Sequence, residues 1–176
     1  MIILGIDPGT ATTGIGIIKV PDDILGREFK YDIELITYKN ISTPKERLMQ
    51  DRLRLIHEEL NGIIEEYKPD MMVIEMLFFG ANTRTAISVG QARGVIMLSA
   101  ARFDVPIHEY TGLQVKLMVA GSGRSDKKQV HEAVRKWLGK NGHKRQKLVA
   151  PKGGHLDDAT DALAIAICHV LKLAAK

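Results

Sequence analysis

Two periods of apolar spacing run along this chain. Residues 2–6, Ile-Ile-Leu-Gly-Ile, form a continuous apolar run that ends on Asp7, and Pro8-Gly9 then stops it. Such a run predicts a strand buried on both faces, with Asp7 at or just beyond its carboxyl end. Residues 9–14 supply small and hydroxyl side chains for a tight turn, and the apolar stretch 15–20 predicts a hairpin partner. Residues 31–38 alternate loosely as a third strand, with 39–43 leading away; connections this short predict an antiparallel meander. Ser42 or Thr43 followed by Pro44 reads as a helix cap and first-turn proline. Met49, Leu53, Ile56, Leu60, Ile63 and Ile64 then recur at helical spacing. That helix ends at residues 67–70, and 71–74 is a second short buried strand terminating in Glu75. A strand, crossover helix and strand place the fourth strand parallel to the first, so Asp7 and Glu75 should emerge at the same sheet end.

The second half is more helical. Residues 76–84 read as a loop bearing Phe78 and Phe79, and 85–102 as a helix of small and apolar residues. Gly90 and Gly94 lie i,i+4 on it; each costs helix stability, which implies a closely packed partner, either the sheet or another subunit. A strand at 105–109 and a short helix beginning at Thr111 follow. After the Gly121-Ser-Gly-Arg-Ser125 break, Ser125 or Asp126 caps a helix to Trp137 or Leu138 with Val130, Val134 and Trp137 as its buried stripe. Trp137 reads as core, with base stacking as the alternative. Residues 139–154 are basic and glycine-punctuated, read as a mobile loop, and the last helix runs from Leu156-Asp157-Asp158 to about 173. The expected class is α/β, one domain over 1–176.

Composition narrows the function. The chain has 176 residues, 45% of them hydrophobic, and no apolar run approaches the length of a membrane span. It opens directly on the first strand without a basic leader, so a soluble cytoplasmic protein with no membrane partner is expected. Cys168 is the single cysteine, which excludes an intrachain disulfide and fits a reducing compartment. The net charge of +4 is unevenly spread: residues 116–152 carry eleven Lys or Arg against Asp126 and Glu132, a local +9 that leaves the remainder at −5. A segregated patch of this kind is a polyanion-binding footprint, unless it is merely a solvated basic face.

The acids supply the chemistry. Asp158 and Asp161 stand i,i+3 at the start of the last helix, on one face. Capping would account for one of Asp157, Asp158 and Asp161, less easily for all three, and Asp7 by itself could cap its own turn. Two carboxylates this close repel unless a cation sits between them. With Asp7 and Glu75 they make four hard oxygen donors, suited to Mg²⁺ or Mn²⁺, and the sequence offers no Cys/His zinc spacing. Two such ions roughly 4 Å apart suit phosphodiester hydrolysis. Acids and basic patch together point to a metal-dependent nuclease.

Four stretches in order and over a matching length carry a resemblance: Gly5-Ile-Asp-Pro-Gly9, Ile74-Glu75 with Phe78, Gly90-Gln-Ala-Arg-Gly94, and Asp158-Ala-Thr-Asp-Ala-Leu-Ala-Ile-Ala166. The chain resembles the bacterial RuvC Holliday-junction resolvases across essentially its whole length. The resemblance implies a ribonuclease-H-like fold with a mixed five-stranded sheet, strands 1–3 antiparallel and 4–5 parallel to strand 1, flanked by helices. It implies a homodimer that resolves four-way DNA junctions by paired symmetric nicks, leaving 5′-phosphate and 3′-hydroxyl ends, beside a branch-migration motor. It assigns catalysis and metal ligation to Asp7, Glu75, Asp158 and Asp161, with two Mg²⁺ ions in the substrate complex, Mn²⁺ substituting, and Asp7 bridging them. Phe78, or its neighbour Phe79, is placed at the junction centre. Lys116 and Lys127 fall near the scissile phosphate and junction backbone, with Arg124, Lys128, Lys144, Arg145 and Lys147 as further phosphate contacts, and the helix around Gly90–Gly94 corresponds to the dimer region.

One departure stands out. Some members place a histidine three residues before the last aspartate; here that position is Asp158, and His155 lies six before it. His155 is therefore a weaker candidate for proton transfer or phosphate contact, and Asp157 a substitute ligand. An actin-like ATPase also opens on a glycine-flanked aspartate, but it needs two domains and a second phosphate loop, and no P-loop is present. A same-fold nuclease on another nucleic acid and a non-cleaving junction binder are the remaining alternatives.

Overall fold

Five strands form one mixed sheet: β1 (Ile2–Asp7), β2 (Thr12–Lys19), β3 (Glu34–Ser42), β4 (Met71–Glu75) and β5 (Ile107–Tyr110). Their spatial order is β3-β2-β1-β4-β5, with β1–β2 and β2–β3 antiparallel and β1–β4 and β4–β5 parallel. This is the expected topology. The computed structural model describes residues 1–22, 33–76, 83–139, 147–150 and 156–175. Helices α1 (Met49–Tyr67) and α2 (Thr83–Arg102) cover one face; α3 (Gly112–Ala120), α4 (Lys127–Trp137) and α5 (Leu156–Ala174) cover the other.

Strand alternation decides which side chains meet which layer. In β1, Leu4 and Ile6 join the core under α1 and α2 with Ile56, Leu60, Ile96 and Ala100. Ile3 points the other way, into the core built by α3, α4 and α5, so Gly5 and Asp7 face that layer too. In β4, Met72 and Ile74 take the α1/α2 side and Val73 the α5 side, which turns Glu75 toward α5. The β1–β4 register runs Ile3↔Met71 to Ile6↔Ile74; carried one residue further, it sets Asp7 beside Glu75, at a strand spacing of roughly 4.8 Å.

The α5 helix is buried almost throughout, with Ala159 to Val170 all inaccessible apart from Asp161. Its small residues lie over glycines in the strands. A Cβ on Gly5 would run into the Ala162 carbonyl oxygen and stand 2.9 Å from Ala166 Cβ, and one on Gly14 would run into the Asp158 carbonyl. Gly14 is thus no turn residue: it lies within β2, paired with Asp7, where it lets the start of α5 down onto the sheet.

Several boundaries differ from expectation: β2 begins at Thr12 and not at 15, and β5 covers Ile107–Tyr110 and not 105–109. Strand β3 continues to Ser42, because β2 is long enough to pair Thr12 with Ser42 and Ile15 with Lys39. The hydroxyls of Ser42 and Thr43 consequently do not cap α1. Thr43 Oγ1 donates to the Thr10 carbonyl and accepts from Arg52 Nε at 2.8 Å, and α1 begins only after Leu48, which offers no side-chain cap. Of Ser125 and Asp126 it is Asp126 that caps α4, in a capping box with Gln129, and Thr111, expected as the first residue of α3, is its cap in a capping box with Gln114. Trp137 belongs to the core, as expected, with Nε1 donating to the Val119 carbonyl at 3.0 Å. In the basic segment, Leu148 is buried and the Val149 N–H donates to Tyr38 Oη at 2.8 Å, so 147–150 is held against β3.

Candidate active site

Three elements deliver four carboxylates to one sheet end. Asp7 closes β1, Glu75 closes β4, and Asp158 and Asp161 occupy the opening turns of α5, whose backbone rests on Gly14 directly across from Asp7. Their proximity is legible in the electrostatics. The Asp7 carboxyl is pushed up to about 8, first by burial and then by the charges of Glu75, Asp161 and Asp158, with Lys127 opposing. Glu75 is likewise raised, by burial and then by Asp161, against Lys116. Burial and neighbouring acids thus disfavour the charge on Asp7 and Glu75, as in a set arranged for a cation.

Glu75, Lys116, Lys127 and Asp161 line one cleft of about 200 Å³ between α3, α4 and α5. Glu75 Oε1 lies against Gly112, the first residue of α3, within 2.6 Å of where a Cβ would stand. Lys127 Nζ sits 3.2 Å from Asp161 Oδ2 and 3.4 Å from Asp157 Oδ2, an internal cation drawn into the acids. Burial opposes its charge; Asp161 and then Asp157 outweigh burial and raise its pKa. Among the described residues no three or more His, Cys, Asp or Glu side chains stand grouped so that they could hold a metal ion as they are. The donor chemistry nonetheless fits a hard divalent cation: every candidate ligand is a carboxylate, negative charge is in excess, and an ammonium already partly compensates it.

The other expected residues are distributed as follows. Asp157 is exposed and engaged by Lys127. Lys128 shares a second hollow with Lys127, His131 and Arg135 along α4. Arg124 does not join the acids; it lines a separate hollow with Ser122, Gln129 and Lys136. Lys147 is exposed beside the β3 edge, the sheet edge opposite β5. Phe78, Phe79, Lys144, Arg145 and His155 lie outside the described residues.

Two residues escaped the sequence reading. His131 Nε2 lies 2.9 Å from Asp161 Oδ1; its i,i+4 spacing from Lys127 on α4 was the available signal. Arg93, in the Gly90-Gln-Ala-Arg-Gly94 motif, points inward: its guanidinium donates to the Glu75 carbonyl at 2.9 Å and pairs with Glu109 of β5. It ties the last residue of β4 to the neighbouring strand. Arg93→Met is expected to leave Glu109 without that partner, destabilise the chain by about 2 kcal/mol, and slow any chemistry that depends on Glu75. Urea denaturation checks this, and an unchanged midpoint would remove Arg93 from that role.

Comparison with known proteins agrees with this geometry. The family profile described as "Crossover junction endodeoxyribonuclease RuvC" matches residues 3–169. A protein of that name from Syntrophomonas wolfei is 46% identical over 97% of this chain and 88% of its own length. Another from Desulfitobacterium hafniense is 47% identical over 96% and 92%. Among solved structures, Thermus thermophilus RuvC in complex with a Holliday junction substrate overlays at a TM-score of 0.82 with 27% identity, covering 99% of this chain and 96% of that one. The yeast mitochondrial Holliday junction resolvase, at 13% identity and a TM-score of 0.63, shares the fold. With its β3-β2-β1-β4-β5 sheet and acids at one strand end, the chain belongs to the RuvC family of crossover junction endodeoxyribonucleases.

Proposed function

We propose that this chain, as a single nuclease domain over 1–176, resolves four-way DNA junctions by paired symmetric nicks that leave 5′-phosphate and 3′-hydroxyl ends. The carrying observation is the convergence of Asp7, Glu75, Asp158 and Asp161 on one sheet end, where Glu75 and Asp161 share a cleft with Lys116 and Lys127. A protein that only bound junctions would gain nothing from acids placed against phosphates.

Asp7, Glu75, Asp158 and Asp161 would hold Mg²⁺, or Mn²⁺ in its place, two ions per site. The chemistry so supplied is activation of water for in-line attack on the phosphodiester and neutralisation of charge on the leaving oxygen. The chain's own groups do the rest. Arg93 anchors the end of β4 and so the position of Glu75. Lys116 and Lys127 reach the cleft from two different helices and pair with phosphate oxygens there. Lys127 must then leave Asp157 and Asp161, so phosphate and acids compete for one ammonium. Lys128 extends the positive surface along α4, and Arg124 and Lys147 offer more distant phosphate contacts. Phe78 or Phe79 is assigned to the junction centre, Lys144 and Arg145 to the DNA arms, and His155 and Asp157 to supporting places at the acids.

The dimer reading rests on α2, which has two opposite faces. Ala92, Ile96, Ser99 and Ala100 are buried in the layer shared with α1 and the sheet, whereas Ile87, Met97 and Leu98 are exposed and Gly90 and Gly94 have open space above them. Such an apolar stripe rimmed by polar residues suits a second copy of the chain, giving two sites across a two-fold axis to match a branched substrate. Among the described residues no helix is long and apolar enough to cross a membrane. We place the enzyme in the cytoplasm with the DNA and, by family resemblance, beside a branch-migration motor.

The test compares a synthetic four-way junction with a plain duplex of the same sequence, in Mg²⁺ and in EDTA. Symmetric nicks on the junction alone, in Mg²⁺ alone, with ends that ligase seals, are expected. Equal cutting of the duplex, or tight junction binding with no metal-dependent cleavage, would refute the reading.

A further inference from the structure

Asp161 faces two partners from α4. Its Oδ2 receives Lys127 Nζ at 3.2 Å, and its Oδ1 lies 2.9 Å from His131 Nε2. Lys127 and His131 stand one turn apart and leave the same face of the helix. What holds them in place differs. Lys127 is a long side chain at 52% exposure whose ammonium is shared with Asp157. His131 is 11% exposed and lies on α4 between Val130 and Val134 of the buried stripe; its Nδ1 stands 3.8 Å from Asp157 Oδ1, beyond hydrogen-bond reach. Its ring has two side-chain torsions, where lysine has four. A carboxylate only accepts hydrogen bonds, so Nε2 is the ring nitrogen that carries the proton in this contact.

One oxygen of Asp161 is therefore held by a largely buried donor with two torsions, while the other is turned to Lys127, which lines the cleft shared with Glu75 and Lys116. We propose that His131 is a positioning residue: its hydrogen bond to Oδ1 sets the rotamer of Asp161 and aims Oδ2 at the place a divalent cation takes, which Lys127 Nζ now spans. The inference rests on reading Asp7, Glu75, Asp158 and Asp161 as the metal-binding set. Without the ring, Asp161 at the half-exposed start of α5 samples several rotamers, and the ligand must be ordered anew at each binding event. Outer partners that orient a metal-binding side chain are commonly worth 10- to 100-fold in metal affinity.

The test uses wild type, His131→Leu and His131→Gln. Leucine fills much of the ring's volume without a donor; glutamine presents an amide N–H at a reach close to that of Nε2. Mn²⁺ is titrated into the DNA-free chain by calorimetry, and Mg²⁺ into the junction-cleavage reaction. We expect His131→Leu to weaken Mn²⁺ binding about 10-fold or more and to raise the Mg²⁺ needed for half-maximal cleavage in proportion. His131→Gln is expected to stay within about 3-fold of wild type in both. Melting temperature and junction affinity in EDTA should agree across the three; if leucine lowers the melting temperature, His131→Met is the second donor-free variant with the same expectation. Equal Mn²⁺ binding by wild type and the donor-free variants overturns the proposal, as does a glutamine variant as impaired as leucine, or a wild type that binds no Mn²⁺. A chain whose Mn²⁺ binding depends on His131 but which cuts no junction upholds the positioning role and refutes the substrate reading.

Discussion

Asp7→Asn is expected to lower junction cleavage by at least about 1,000-fold while leaving junction binding in EDTA intact. Asp7 ends the central strand, beside Glu75 and across from the Gly14 platform that carries Asp158. Its carboxyl is under the charges of Glu75, Asp161 and Asp158 together. The substitution has a second consequence, of opposite sign, for stability. The Asp7 carboxyl is pushed up to about 8 by burial and by Glu75, Asp161 and Asp158, whereas in the unfolded chain it titrates near the ordinary carboxylate value of about 4. Between those values the folded chain holds a proton that the unfolded chain has released. Stability from this group is thus fully present below about pH 4 and is lost as pH rises toward 8, by at most about 1.4 kcal/mol per pH unit. Asparagine does not titrate. In EDTA, Asp7→Asn should therefore melt above wild type, by a margin that widens from pH 5 to pH 8, and Mg²⁺ should close the gap by stabilising wild type alone. Unchanged cleavage kinetics would rule out Asp7 as a ligand, and a pH-independent margin would rule out the buried repulsion.

Gly5→Ala should be the most damaging single-methyl change in the sheet. The added Cβ meets the Ala162 carbonyl oxygen, with Ala166 Cβ at 2.9 Å and Ala166 N at 3.0 Å. Backbone atoms of a buried helix have no rotamer into which to retreat, so α5 as a whole must rise from β1. Overpacking of this kind costs about 3 kcal/mol or more. For a chain of this size that is a fall in melting temperature of roughly 6–12 °C. Gly14→Ala meets the Asp158 carbonyl in the same way, with its carbonyl carbon at 2.5 Å, and lifts the end of α5 that bears the acids. It should abolish cleavage even where the fold survives. Gly62→Ala is the control: it lies on α1 with nothing within 4 Å, and gains up to about 1 kcal/mol of helix propensity. Equal melting temperatures for Gly5→Ala and Gly62→Ala would show that α5 does not rest on the sheet as described.

The order of elements, the parallel pairing of β1 with β4 and the meeting of Asp7 with Glu75 were all legible along the chain. Each depends on local information: apolar runs closed by an acid, one helical period between them, and the handedness of a crossover. Asp158 and Asp161 were legible for the same reason, because i,i+3 spacing on a helix is local geometry. Misreadings arose where a residue's partner lay elsewhere in the fold. Thr43 looked like a cap, yet its hydroxyl is engaged by Thr10 and Arg52. Gly14 looked like a turn, yet it is the floor beneath Asp158. Arg93 looked like no more than one letter of the Gly90–Gly94 motif, with no role of its own, yet it reaches Glu75 and Glu109.

The sequence by itself determined the strand ends, the acids and the basic segment, since hydrophobic period and charge are properties of neighbouring residues. Only the tertiary structure decided that α5 sits down on glycines, that Lys127 fills the space between acids, and that His131 holds one oxygen of Asp161. Those contacts join positions 30 to 161 residues apart, and their existence turns on ångström-scale packing between layers, which no periodicity along the chain encodes.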